Sequence, residues 1–115
     1  MTYGGTATPA QPVMLYRSEP VGGTGLAPYL GLSIEIGTGG GSGGCGGYSW
    51  SNTIYNGDVG DFATLHPDYD DAHGTSWTPT GPGDKRTFRF VLTMGDDDAA
   101  QLKSATFGFR WEVRT

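Results

Sequence analysis

His66-Pro67-Asp68-Tyr69-Asp70-Asp71-Ala72-His73 is where metal-ligand residue types crowd together in this sequence. Two imidazoles and three carboxylates could hold zinc, or the oxygens alone could hold calcium. The spacing matches neither HExxH nor the twelve-residue calcium loop, and Pro67 stops a regular helix from aligning both imidazoles. A solvated acidic loop is the expectation, with His66, Asp68, Asp70, Asp71 and His73 kept as the metal-ligand candidates. Asp96-Asp97-Asp98 could join a calcium site if a second acidic loop lay near. Its plainer role is to keep a hairpin connection wet. Ser76, His73 and Asp70 supply the raw materials of a nucleophilic triad, but no nucleophile elbow surrounds any serine. The reading is no catalytic residue and no cofactor.

Residues 37–47, Gly-Thr-Gly-Gly-Gly-Ser-Gly-Gly-Cys-Gly-Gly, share only composition with a phosphate loop. The GK[ST] ending is missing and no helix signal follows, so a flexible surface loop is expected. Cys45 sits in it with no base nearby, and as the sole cysteine it cannot form a disulfide within this chain. A free thiol or a bridge to another chain are its alternatives. Tyr48, Trp50, Tyr55, Tyr69 and Trp77 fall on or near turns. They read as core lids or loop anchors, as subunit contacts, or as a stacking platform for sugars.

The elements that must carry these groups are strands. Val13 to Arg17 is a short one. Leu30 to Ile36 alternates cleanly, with Leu30, Leu32, Ile34 and Ile36 on one face and Gly31, Ser33 and Glu35 on the other. Tyr48 to Trp50 and Thr53 to Tyr55 read as a brief return. Val59, Phe62, Ala63 and Leu65 lie at near-helical spacing behind Asp58, a candidate N-cap, and ahead of Pro67. This predicts one short helix near residues 59–66. Phe88, Phe90, Leu92 and Met94 then alternate with Thr87, Arg89, Val91 and Thr93, and Phe107, Phe109, Trp111 and Val113 with Thr106, Gly108, Arg110, Glu112 and Arg114. Burying one such aromatic contributes on the order of 2–3 kcal/mol, so Phe88, Phe90, Phe107, Phe109 and Trp111 are the expected core. The pattern predicts an all-β, antiparallel sandwich. Its short front strands leave Val13, Leu15, Leu32 and Ile34 as the expected open edges for association.

Composition narrows the partners. At 115 residues the chain is one domain, 1–115, with a loose opening segment over 1–12. A net charge of −5, with no Lys/Arg cluster, argues against nucleic acid. No apolar run approaches the ~20 residues of a membrane span, so membrane insertion is not expected. Met1-Thr-Tyr-Gly-Gly-Thr has neither the basic nor the apolar part of a signal peptide.

Leu15-Tyr16, then Gly25-Leu26-Ala27-Pro28-Tyr29-Leu30, Ile34-Glu35-Ile36-Gly37-Thr38-Gly39 and Cys45 follow one another in a recognisable order. Ile54-Tyr55-Asn56-Gly57, Gly60-Asp61-Phe62-Ala63 and Trp77-Thr78-Pro79 continue it. Gly83 to Phe90 and Ala105 to Glu112 close it. Across residues 13–114 this order resembles actinobacterial proteins of the camelysin/TasA type. The resemblance implies a secreted jelly-roll sandwich and an extracellular or cell-surface setting. It also implies a biofilm-matrix fibre subunit that assembles by donating a strand to its neighbour. Some members carry a metallopeptidase label, which the spacing of His66 and His73 does not support. The sequence departs from the family at its front, where the leader and first strands before Leu15-Tyr16 are missing, so a fragment or a variant assembly is expected.

The functional expectation is therefore an extracellular structural subunit that associates with itself or a related subunit, and not an enzyme. The alternative is a carbohydrate- or calcium-dependent binding module. A zinc metallopeptidase ranks last.

Overall fold

A computed structural model describes residues 1–40, 44, 46–95 and 98–114. Among the described residues eight strands form three antiparallel sheets, and none closes into a barrel. The first sheet is built from β1 (Met14–Arg17), β5 (His73–Gly74) and β8 (Phe109–Glu112), in the order β5-β1-β8. The second pairs β2 (Gly22–Gly23) with β7 (Ala105–Thr106). The third holds β3 (Leu30–Thr38), β4 (Ser49–Asp58) and β6 (Thr87–Met94), in the order β4-β3-β6. The β-rich, antiparallel character read from the sequence is what the chain adopts.

The alternation in β3 sorts its two faces as the sequence implies. Leu30, Leu32, Ile34 and Ile36 are buried, and Gly31, Ser33 and Glu35 face outward. Leu15 of β1 lies opposite in the same core, joined by Val59 and Phe62. Aromatic rings of β6 and β8 bring the two three-stranded sheets together. Phe90 sits 4.7 Å from Phe109, and Phe88 sits 5.5 Å from Trp111, centroid to centroid. A smaller cluster of Tyr3, Val13, Ile36 and Trp77 extends the core at one end.

The one α-helix among the described residues, α1 (Val59–Leu65), forms where expected and for the expected reason. Asp58 Oδ1 accepts the Asp61 main-chain N–H at 2.7 Å, satisfying an otherwise orphaned donor. His66 closes the helix and Pro67 follows. Its buried face, Val59, Phe62 and Ala63, covers the sheet.

Three expectations change. The return strand is not brief, because β4 runs ten residues from Ser49 to Asp58. The final strand is not continuous. It changes partner at Phe107–Gly108, leaving Gly22–Gly23 for β1, where the Gly108 carbonyl accepts the Ser18 N–H at 3.1 Å. A Cβ on Gly108 would come within 2.4 Å of Ser18 Oγ, so a side chain at this crossing would oblige that hydroxyl to rotate away. Nor are Val13, Leu15, Leu32 and Ile34 open edges. β1 and β3 are the central strands of their sheets, and Val13 exchanges main-chain bonds with Trp77 and Thr75. Central position follows from burial on the inner face combined with paired neighbours on both sides.

Within the opening segment, Met1 to Tyr3 lie antiparallel to residues 83–86. Met1 and Arg86 exchange both main-chain hydrogen bonds, at 2.9 and 3.0 Å, and Tyr3 is buried.

Candidate functional site

The two histidines do meet. His66 ends α1 and His73 opens β5, and their rings stand 5.0 Å apart, edge toward face. Tyr55 and Phe62 complete an aromatic cluster around them, with Phe62 4.9 Å from His66 and Tyr55 6.1 Å from His73. Burial raises the Tyr55 phenol above its ordinary value, with Asp58 and Asp61 adding to the shift.

Each imidazole uses one nitrogen on the backbone. His66 Nδ1 meets the Asp71 carbonyl at 2.8 Å, and His73 Nε2 meets the Ile54 carbonyl. A carbonyl only accepts, so in the neutral rings these nitrogens carry the protons. The acidic residues do not close around the pair. Asp68 caps the loop by accepting the Asp71 N–H at 3.1 Å, and Asp68, Asp70 and Asp71 are exposed. Among the described residues no group of three His, Cys, Asp or Glu side chains is placed to hold a metal ion. The His66–Asp71 bond closes the loop on itself, and the His73–Ile54 bond ties β5 to β4.

Other candidates fall apart in space. Ser76 is exposed, with φ of 64°, while His73 is already bonded to Ile54. Asp98 begins a 3-10 turn, whereas Asp96, Asp97 and Cys45 lie outside the described residues. Trp77 is not part of any exposed platform. It is 3% exposed and gives its indole N–H to Asp84 Oδ2 at 3.1 Å. Asp84 also accepts from the main-chain N–H groups of Thr80 and Lys85 and from Arg86 at 2.8 Å. These bonds, the Trp77 N–H first, hold its carboxyl down to about 2. An organiser of the 77–86 turn, it was hidden because its partners come from tertiary packing and turn geometry.

Tyr69 lies under the Arg114 guanidinium, 3.7 Å from ring to cation. Tyr48 and Trp50 remain on the outer face of the β4-β3-β6 sheet. Tyr48 reaches Glu35 Oε1 at 3.4 Å and lies 5.5 Å from the Arg89 guanidinium, which itself pairs with Glu35 at 3.0 Å. Trp50 is 58% exposed and bonds Thr53 Oγ1 at 3.2 Å.

Tyr3, Val13, Trp77, Trp111 and Val113 line a cleft of about 170 Å³. The Trp111 indole N–H is buried and has no hydrogen-bond partner among the described residues. The expected core rings Phe88, Phe90, Phe107, Phe109 and Trp111 all pack against the central cluster, each half-buried.

β6 carries three exposed apolar side chains, Val91, Leu92 and Met94. It has a hydrogen-bonded strand on one side alone, β3, and none on the other among the described residues. Leu92 and Met94 are 50% and 57% exposed, although their β3 neighbours Leu32 and Leu30 are buried. The opposite edge, β4, is different: its register slips at Ile34/Glu35 and again at Ile36/Gly37. Such bulges twist an edge away from new partners. β6 has no slip, no proline and no lysine. No family model, curated protein or solved structure matches the chain.

Proposed function

We propose that this protein is an extracellular structural subunit that assembles through main-chain pairing at the free edge of β6. The observation that carries the reading is that edge: eight regular residues, Thr87–Met94, with Val91, Leu92 and Met94 exposed. A long, unbroken, apolar edge presents unpaired N–H and C=O groups to another strand and gains cohesion when they are covered. The two facing sheets are compatible with a jelly-roll-like sandwich, and the resemblance over residues 13–114 supports a secreted setting and a camelysin/TasA-type assembly. Cohesion, not catalysis, is the activity in this reading.

Light scattering across a concentration series tests it. The wild type grows in mean mass with concentration, and Leu92→Lys, which places a charge on an already exposed edge position, holds it near the monomer. A wild type that stays monomeric at high concentration overturns the reading.

One observation favours a second reading, a carbohydrate-binding face. Trp50 exposes its ring on the outer side of β4, two residues from Tyr48 and opposite Gly37 of β3. Polysaccharide pull-down that is lost in Trp50→Ala would support it.

A further inference from the structure

We infer that β6 pairs antiparallel with β6 of a second copy about a two-fold axis through Val91, making one continuous six-stranded sheet. This rests on the edge reading above and adds the partner and the register.

The register follows from three observations. Met1 and Arg86 exchange both of their main-chain bonds, so Arg86 turns its N–H and C=O to the outer side. Direction alternates along an extended strand, which puts the N–H and C=O of Phe88, Phe90, Leu92 and Met94 on that same outer side. Those of Thr87, Arg89, Val91 and Thr93 face β3. Outward groups can meet only outward groups. Met1 also closes the edge as far as Arg86, and β6 ends at Met94. A two-fold partner centred on Phe90 would set Met94 against Arg86, which Met1 already occupies. One centred on Leu92 would leave Phe88 unpaired. Centring on Val91 sets Phe88 opposite Met94 and Phe90 opposite Leu92, and uses every open group without displacing Met1.

The side chains agree with that choice. On the inner face, exposed Leu92 packs beside the second copy's Phe90, and exposed Met94 beside its Phe88. These are the aromatic–aliphatic cross-strand pairs that stabilise sheets. On the outer face Val91 meets Val91, and Arg89 meets Thr93, so no like charges oppose. A closed pair of this kind consumes the edge, so it is the building unit, and any longer fibre adds a second contact.

Disulfide trapping reads the register directly, with Cys45→Ser in every sample. Val91 faces its own copy at a non-hydrogen-bonded position, where Cα atoms lie about 4.5 Å apart, within disulfide range. Val91→Cys therefore oxidises mostly to a covalent dimer. Thr93→Cys, which faces Arg89, stays monomeric, and Arg89→Cys mixed with Thr93→Cys forms the heterodimer. Adding Leu92→Lys to Val91→Cys cuts cross-linking by about tenfold or more. Should the wild type associate while Val91→Cys fails to cross-link, or Thr93→Cys cross-links instead, the two-fold register is wrong and edge assembly survives. A wild type that is monomeric at all concentrations removes both.

Discussion

Trp77 and Asp84, seven residues apart, are joined by an indole N–H donated to a carboxylate oxygen at 3.1 Å. This bond ties the buried tryptophan of the smaller core cluster to the turn that delivers the chain into β6. The same carboxylate orders Thr80, Lys85 and Arg86, and Met1 pairs with Arg86 next door. The β6 edge is thus framed by a polar device that lies outside the sheet.

Asp84→Ala leaves the Trp77 N–H buried without an acceptor. The expected outcome is a fall in Tm of about 5 °C, the scale on which a domain of this size answers to one lost hydrogen-bonded group. Differential scanning calorimetry checks it, and an unchanged Tm would contradict the role given to this carboxylate.

The same residue predicts an acid limb. Its folded value of about 2 lies below the ordinary aspartate value near 4. The ionised group therefore stabilises the fold fully above the ordinary value, and that contribution is lost as pH falls from about 4 to about 2. Acid titration followed by far-UV circular dichroism should show a shallower loss over that window in Asp84→Asn than in the wild type.

Phe62 is 1% exposed and touches the rings of Tyr55, His66 and Phe109 at 4.9 to 5.3 Å. Phe62→Ala removes the piece that joins α1 to both large sheets and costs about 3–5 kcal/mol. Against a total of roughly 5–15 kcal/mol, urea denaturation should show a marginal or unfolded variant. Phe62→Leu should lose much less.

Gly37 occupies the far end of β3, where a Cβ would stand 2.1 Å from the Ser49 carbonyl oxygen and 2.8 Å from the Tyr48 ring. Gly37→Ala therefore forces β4 away at the second register slip and costs about 1–3 kcal/mol. Amide exchange should quicken around Ser49 to Asn52 and leave the Leu30–Leu32 end unchanged.

The three tryptophans separate by exposure. Trp50→Ala changes stability by less than about 0.5 kcal/mol, as surface substitutions do. Acrylamide quenching should fall sharply in Trp50→Phe, because Trp77 is buried and Trp111 half-covered.

Sequence alone was sufficient for what depends on near neighbours along the chain. Asp58 and Pro67 bracket α1 because a cap and a break act within one turn. Period-two alternation sorted the faces of β3 and the inward rings Phe88, Phe90, Phe109 and Trp111, because successive side chains of a strand must point opposite ways. It also flagged His66 and His73, though not that their nitrogens would turn to backbone carbonyls. Tertiary structure decided who lies beside whom. Alternation is the same for an edge strand and a central one, so Val13, Leu15, Leu32 and Ile34 could be read as edges, while the edges of the two three-stranded sheets are β4, β6, β5 and β8. Likewise, nothing in the spacing of Leu92 and Met94 says that they stay exposed while their β3 neighbours Leu32 and Leu30 are buried. Burial on a face is written locally, but the neighbour across a hydrogen-bonded edge is set by where distant segments fold.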